Sequence, residues 1–135
     1  IQWVDYVAML HDWAEGKNLP DDRVRSSFKV AITDSNELAG RISVRYELNY
    51  FLENFGGHIG YGVRPPFRRR GFATQMLKAG LADLHAHGIE RGLVTCLDTN
   101  IASAAVLEQA GGVFEDIREQ KHEFYRRYWF ETKNF

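Results

Sequence analysis

The sequence is poor in the features that mark secreted, membrane-spanning or nucleic-acid-binding chains. It contains one cysteine among 135 residues, which excludes a disulfide within the chain. No apolar run approaches the roughly 20 residues needed to cross a bilayer, and no signal peptide opens the chain, so a reducing cytoplasm is the expected location. The 17 lysines and arginines are offset by 18 acidic residues, which argues against a dedicated nucleic-acid binder.

The overall composition is typical of a globular domain. The chain is 44% hydrophobic and 26% charged, and it is long enough to bury a core without disulfides or metals. No repeat, linker or low-complexity tract interrupts it. Residues 1–135 are therefore expected to form a single domain, and the oligomeric state stays open, with a homodimer among the alternatives.

Hydrophobic periodicity predicts three helices and six strands. The helices are predicted over residues 3–15, 72–87 and 101–110, and residues 46–55 are expected to include a short helix. The strands are predicted over residues 28–32, 38–44, 58–63, 93–97, 113–118 and 123–130. The order indicates a mixed α+β fold, with a mostly antiparallel sheet flanked by helices and right-handed crossovers in the middle.

Residues 63–73 join a predicted strand to a predicted helix through a turn with three consecutive arginines, Arg68, Arg69 and Arg70. The first turn of a helix leaves backbone N–H groups without intrahelical partners, and the aligned peptide dipoles add positive charge there. Gly71 lets the backbone approach a ligand without a Cβ in the way, and the arginines supply fork-shaped donors for phosphate oxygens. This segment therefore predicts a phosphate site.

The same turn carries a recognisable pattern. Arg68-x-x-Gly71-x-Ala73, preceded by Val63-x-Pro65, resembles the acyl-CoA signature of the GNAT N-acetyltransferase superfamily. In that family the amides of this segment hold the CoA pyrophosphate. The strand, turn and helix around the pattern provide the structural context that the motif requires.

A second resemblance lies downstream. Residues 100–112 resemble the next helix of that family, which opens on Asn and closes on Gly, and residues 93–97 resemble the strand that splays from its neighbour to admit pantetheine. Closer likeness to a bacterial subgroup of predicted acetyltransferases rests on Gly56 to Tyr61, Thr95-Cys96, Asn100 to Ser103 and Arg126 to Trp129. The likeness covers the chain from about residue 28 onward and implies a GNAT-like fold.

The resemblance also implies a function and a set of ligand contacts. It implies direct transfer of an acetyl group from acetyl-CoA, the cosubstrate, to a small-molecule or peptide amine in a ternary complex. The implied cofactor-binding residues are Gly62, Val63, Arg68, Arg69, Arg70, Gly71, Phe72, Ala73, Thr74, Asn100 and Ser103. Asn100 has a second role open to it, because its side chain can cap the following helix at the amide of Ala102 or Ser103.

The beginning of the chain differs from the resembled family, in which a first strand and helix precede this point. Ile1 is not a methionine, and the chain enters directly on an amphipathic helix. We therefore expect the N-terminus to be truncated and the first strand of the sheet to be absent.

The candidate catalytic residues are Glu47, His58 and Tyr61. A lysine-like amine with a pKa of about 10.4 must lose a proton before it attacks, at a cost of roughly 4.6 kcal/mol at pH 7. Glu47 or His58 could act as the base, and Tyr61 as a proton donor. Glu47 could instead be a solvated carboxylate, and His58 a structural hydrogen-bond partner. Backbone N–H groups near Tyr61 to Val63 are expected to stabilise charge on the thioester oxygen.

Position 107 departs from the family pattern, which places a tyrosine there to protonate the leaving thiolate, whereas this chain has Leu107. This departure leaves open a non-catalytic acyl-CoA-binding or regulatory module. Cys96 could in principle accept the acyl group, although a lone cysteine in an apolar strand is usually a buried hydrophobe. The histidines form no ligand set, so no metal is expected.

Two further expectations concern surfaces. Strand alternation places His58, Gly60 and Gly62 on one face of the third strand, which would leave that face bare for an acyl-pantetheine arm. Arg64 and the three arginines of residues 68–70 could alternatively form a nucleic-acid patch, although the phosphate turn accounts for them better. No nucleic-acid or membrane partner is therefore expected.

Overall fold

The computed structural model describes residues 2–135, which form three α-helices and six strands. In chain order these are α1 (Trp3–Ala14), β1 (Ser26–Ile32), β2 (Leu38–Arg45), β3 (Ile59–Val63), α2 (Phe72–Ala86), β4 (Arg91–Leu97), α3 (Ile101–Gln109), β5 (Val113–Gln120) and β6 (Glu123–Glu131). The predicted elements and the mixed α+β class are confirmed. The ends of the helices and strands differ from the predicted ends by at most two residues. The short helix expected in residues 46–55 is a π-helix at Leu52–Gly56.

The six strands form one sheet in the order β1-β2-β3-β4-β6-β5. All neighbours are antiparallel except β3 and β4, which run parallel. The parallel pair is in register only at Ile59 and Val94, so the two strands separate beyond that point. This separation opens a gap in the middle of the sheet.

Helices α2 and α3 cover one face of the sheet and bury the main core. Leu77, Leu81, Leu84 and Leu107 are fully buried there. Gly80 brings α2 close to the strands, because a Cβ at this position would lie 2.9 Å from the Cδ1 atom of Ile59. The core therefore fixes the start of α2 relative to β3, where the predicted phosphate turn lies.

Helix α1 packs beside β1, and the π-helix packs against β4 and β5 on the face opposite α2 and α3. Arg127 of β6, which is 2% exposed, anchors the π-helix by donating 2.7 Å and 3.1 Å hydrogen bonds to the carbonyl of Glu53. The same guanidinium pairs with Glu115 and Asp116 of β5. Within residues 2–135, no helix combines the length and apolar character that a membrane crossing requires.

Candidate active site

A cavity of about 700 Å³ lies where β3, the start of α2 and the start of α3 meet. It is on the side of the sheet that α2 and α3 cover, beside the gap between β3 and β4. Its walls are Tyr61, Gly62, Val63, Phe67, Arg68, Arg69, Gly71, Phe72, Ala73, Thr74, Asn100, Ala102, Ser103 and Val106. Ten of the eleven predicted cofactor-binding residues are therefore brought together, and Arg70 is the exception.

The N-terminus of α2 forms one end of the cavity. Gly71 precedes the helix with φ +84°, a left-handed conformation that favours glycine, and a Cβ there would meet nothing within 4 Å. The first intrahelical bond runs from the amide of Gln75 to the carbonyl of Gly71, at 3.1 Å. The amides of Phe72 to Thr74 thus have no intrahelical acceptor and are available to an anion.

The three arginines of the turn have different positions. Arg68 and Arg69 line the cavity, and the Nε atom of Arg68 donates to the carbonyl of Val63 at 3.2 Å. Arg70 instead lies over the rings of Phe67 and Phe72, 5.5 and 5.7 Å from their centroids, and does not line the cavity. Two of the three arginines therefore face the anion site.

The gap exposes backbone groups of β3. The amide of Arg64 donates to Ala39 of β2, at 2.8 Å. Because the N–H groups of successive strand residues point in opposite directions, the amides of Val63 and Tyr61 point towards β4. The register with β4 ends at Ile59, so these two amides face the gap without a ladder partner.

A pair of hydroxyl groups closes the cavity on the α3 side. The hydroxyls of Tyr61 and Ser103 lie 2.9 Å apart, and burial raises the pKa of the Tyr61 phenol. Asn100 caps α3 as predicted, accepting from the amide of Ser103 at 3.1 Å. Cys96 is 8% exposed and belongs to the core, and burial raises the pKa of its thiol.

His58 sits at the point where β3 and β4 begin to separate, and it is 5% exposed. The amide of Leu93 donates to its Nδ1 atom at 2.9 Å, so the proton of the neutral ring is on Nε2. Burial, and secondarily the charge of Arg45, lowers the pKa of His58 to about 4. A ring held in this tautomer with so low a pKa serves as a hydrogen-bond acceptor between strands.

Glu47, the other candidate base, is exposed in a bend after β2 and does not line the cavity. Leu107 is fully buried in the core, so position 107 offers the cavity no polar group. Among the three predicted catalytic residues, only Tyr61 lies in the cavity wall.

Sequence reasoning missed three apolar wall residues, Phe67, Ala102 and Val106. Val106 could have been found, because it lies one helical turn after Ser103 on the same side of α3. Phe67 could not, since its burial depends on how the turn folds back over α2.

The predicted alternation of β3 is confirmed, because Gly60 and Gly62 oppose Ser43 and Arg41 of β2 while Tyr61 opposes Ile42. The expectation of a bare face is wrong at Gly60. The guanidinium of Arg45 covers it, with atoms 3.1 to 3.4 Å from where a Cβ would lie. The cavity is on the other face, because α2 and α3 rise from the sheet there and form its walls.

This arrangement defines the class of protein. An anion site of amides and arginines at one end of a long cavity, with a strand gap at the other, is suited to an enzyme whose cosubstrate is a long phosphorylated thioester. The model of the acetyltransferase (GNAT) domain matches residues 1–113, and the chain belongs to this family. It is accordingly an acyltransferase, and acetyl-CoA is the cosubstrate of the family.

Solved structures of similar fold include two acetyltransferases. A ribosomal-protein-S5-alanine acetyltransferase from Vibrio fischeri has a TM-score of 0.75 and 16% identity, over 98% of this chain and 72% of that chain. A chimera of the spermidine N-acetyltransferase SpeG from Vibrio cholerae with hSSAT has a TM-score of 0.66 and 15% identity, over 96% and 77%. No curated protein matches this chain in sequence.

Proposed function

We propose that the chain transfers the acetyl group of acetyl-CoA directly to an amine, with both substrates bound at once. The observation that carries this proposal is the gap between β3 and β4, which lies next to the amide-lined start of α2. A thioester arm that enters from the cavity can meet an amine that approaches from the opposite side of the sheet.

The residues present fit acetyl-CoA. The amides of Phe72, Ala73 and Thr74, together with Arg68 and Arg69, would hold the pyrophosphate. Gly62 and Val63 would lie along the pantetheine arm, and Asn100 and Ser103 on the α3 side. Once bound, acetyl-CoA supplies an activated acyl group and a thiol leaving group.

The chain would then contribute hydrogen-bond donors in two places. The amides of Tyr61 and Val63 face the gap, where they would stabilise negative charge on an acyl oxygen. The Tyr61 hydroxyl, whose pKa is raised and which contacts Ser103, would donate a proton to the departing thiolate. The phenolate would regain a proton when the amine nitrogen loses one as the amide forms. The Tyr61 and Ser103 pair would thus supply the proton that a tyrosine at position 107 supplies elsewhere in the family.

Neither candidate base is well placed for the amine. Glu47 lies outside the cavity wall, and the Nδ1 lone pair of His58 already accepts from Leu93. An acceptor that is partly neutral in solution would need no base to generate the attacking amine. A peptide α-amine, with a pKa of about 8, is neutral at a cost of only about 1.4 kcal/mol at pH 7, against roughly 4.6 kcal/mol for a lysine side chain. This difference favours α-amines as acceptors.

Two experiments test the proposal. Calorimetry should detect CoA binding, and Arg68→Gln should weaken it about tenfold. The matched control is Arg70→Gln, two residues away, which should bind CoA as the unaltered chain does because Arg70 does not line the cavity. The absence of any heat of CoA binding would contradict the proposed site.

The burial of Leu107 favours one alternative, a module that binds acyl-CoA without turning it over. Release of free thiol from acetyl-CoA, measured with a panel of amines, separates the two. An enzyme releases thiol in proportion to added amine, whereas a binding module gives a calorimetric signal and no thiol.

A further inference from the structure

The sheet face opposite the cavity carries two arginines close to the gap, and the charge of a third, Arg23, acts on one of them, Arg45. Arg41 and Arg45 project from β2 on the same side as Gly60 and Gly62, because these strand positions alternate in register. Arg23, in the loop before β1, is packed on Trp13 of α1, with its guanidinium 5.3 Å from the ring centroid. These three side chains form the arginine face. An acceptor would approach the gap from this side of the sheet.

Arg45 has unused hydrogen-bonding capacity. Its guanidinium lies flat over Gly60, with NH2 only 3.1 Å from where a Cβ would be. NH1 donates to the carbonyls of Gly56 and Gly57, at 3.1 and 3.3 Å, which fixes the plane of the group. NH2 has no acceptor among residues 2–135. A partly buried guanidinium held in place with an unpaired edge is preorganised for a planar anion.

The charge of the arginine face is not balanced by the protein. Within the part of the chain that the structure describes, no carboxylate lies within 4.0 Å of Arg23, Arg41 or Arg45. Burial, and then the charges of Arg23 and Arg41, lowers the pKa of the Arg45 guanidinium. Arg127, a fully buried arginine of this side of the sheet, is paired with Glu115 and Asp116. The contrast leaves the charges of Arg41 and Arg45 available to an anionic ligand.

The spacing matches a small acceptor. The acyl oxygen would lie between the gap-facing amides of Tyr61 and Val63, so the reacting amine would meet the acyl group beside Gly62, while Arg45 covers Gly60. Two residues of an extended strand span about 7 Å. That distance is comparable with the separation of an α-amine from a carboxylate on the next side chain of a peptide. Arg41, whose Nε atom lies 4.0 Å from the Cβ position of Gly62, is close enough to share the anion.

We propose that the acceptor of this enzyme is an anionic amine, and that Arg45 and Arg41 bind its carboxylate. This inference rests on the proposed acetyltransferase function and adds the substrate class to it. It predicts discrimination against polycationic amines, which the arginine face would repel.

The test is a matched set of dipeptide amides that share one α-amine, namely Ala-Glu, Ala-Gln, Ala-Arg and Ala-phosphoserine. Thiol release with a fixed saturating concentration of acetyl-CoA gives kcat/KM for each. We expect Ala-Glu to exceed its isostere Ala-Gln by about 10- to 100-fold, with most of the change in KM, and Ala-Arg to be poorest. A preference for Ala-phosphoserine would show that the anion is a phosphate and would overturn the carboxylate assignment.

Three variants locate the effect. Arg41→Gln should reduce the Ala-Glu to Ala-Gln ratio, and Arg41→Glu should reverse the order of Ala-Glu and Ala-Arg. Gly60→Ala places a methyl group against the Arg45 guanidinium and should also reduce the ratio. The control is Arg91→Gln, an exposed arginine of β4 that pairs with Glu131 at 3.7 Å, and its ratio should not change.

The results distinguish a failure of this inference from a failure of the proposed function. Equal kcat/KM for Ala-Glu and Ala-Gln would overturn the anionic acceptor. An unchanged ratio in both Arg41 variants and in Gly60→Ala would overturn the assignment of its carboxylate to Arg41 and Arg45. Both results would leave acetyl transfer intact. A failure of every amine to release thiol, with CoA still bound, would instead refute the proposed function. Measurement of CoA affinity in each variant excludes a general loss of structure.

Discussion

The buried ring of His58 makes acid sensitivity the sharpest stability prediction for this protein. The pKa of His58 is lowered to about 4 by burial first and by Arg45 second, against an ordinary value of 6.5. Between these pH values the unfolded chain binds a proton at this side chain and the folded chain does not. The free energy of unfolding should therefore be fully retained above pH 6.5 and should fall as the pH drops towards 4.

The expected size follows from the difference in pKa. Each pH unit in this window costs about 1.4 kcal/mol, so the loss from pH 6.5 to 4 approaches 3 kcal/mol. Below pH 4 the folded protein also binds the proton, and this contribution levels off. A loss of that size is a large fraction of the stability of a small domain.

The assay is urea unfolding at a series of pH values, compared with the variant His58→Asn. The Asn Oδ1 atom can take the place of Nδ1 as acceptor for the Leu93 amide, but it does not titrate. The variant should be less stable at pH 7, because it loses the packing of the imidazole ring. Its free energy of unfolding should depend less on pH between pH 6.5 and 4. His11→Asn, at an exposed histidine of α1, should leave the profile unchanged. Parallel profiles for the unaltered chain and His58→Asn would refute the reasoning.

Three further predictions concern single side chains. Tyr61→Phe removes the hydroxyl that contacts Ser103 and should lower kcat about 100-fold while leaving the calorimetric Kd for CoA unchanged; an unchanged kcat would exclude Tyr61 as proton donor. Gly71→Ala forces a Cβ into φ +84° and should cost about 1–2 kcal/mol in urea unfolding; it should also weaken CoA binding, and full affinity would contradict the amide site. Gly80→Ala sets a methyl group 2.9 Å from Cδ1 of Ile59, so crowding should outweigh the gain in helix propensity by about 1 kcal/mol net; an increased thermal midpoint would contradict this packing.

Much of the fold could be predicted because its signals are local. The helix of residues 72–86 is indicated by apolar spacing, and the strands on either side by short apolar runs. The anion site was equally readable, because Gly71 and the arginines that precede it are consecutive in the chain. Where the signal was mixed, as in residues 46–55, the sequence indicated a short helix but not its π-helical hydrogen bonding at Leu52–Gly56.

The catalytic candidates show the limit of local reasoning. Glu47 and His58 have suitable side chains, yet one lies away from the cavity and the ring of the other is committed to Leu93 across the β3–β4 boundary. Arg45 drew no attention in the sequence, because nothing local distinguishes it from other arginines. Its significance depends on Gly60, fifteen positions away, and on the absence of a carboxylate beside it among residues 2–135.

The amino-acid order alone determined the elements, the mixed α+β class and the anion-binding turn, since each depends on residues within about one helical turn or strand of one another. Only the tertiary structure decided which side of β3 faces the cavity, which arginine of residues 68–70 turns away, and that Arg45 lies over Gly60. These outcomes depend on how strands pair and helices pack across the sheet. Burial and charge at a site are sums over neighbours that are distant in the chain, and no local pattern contains them.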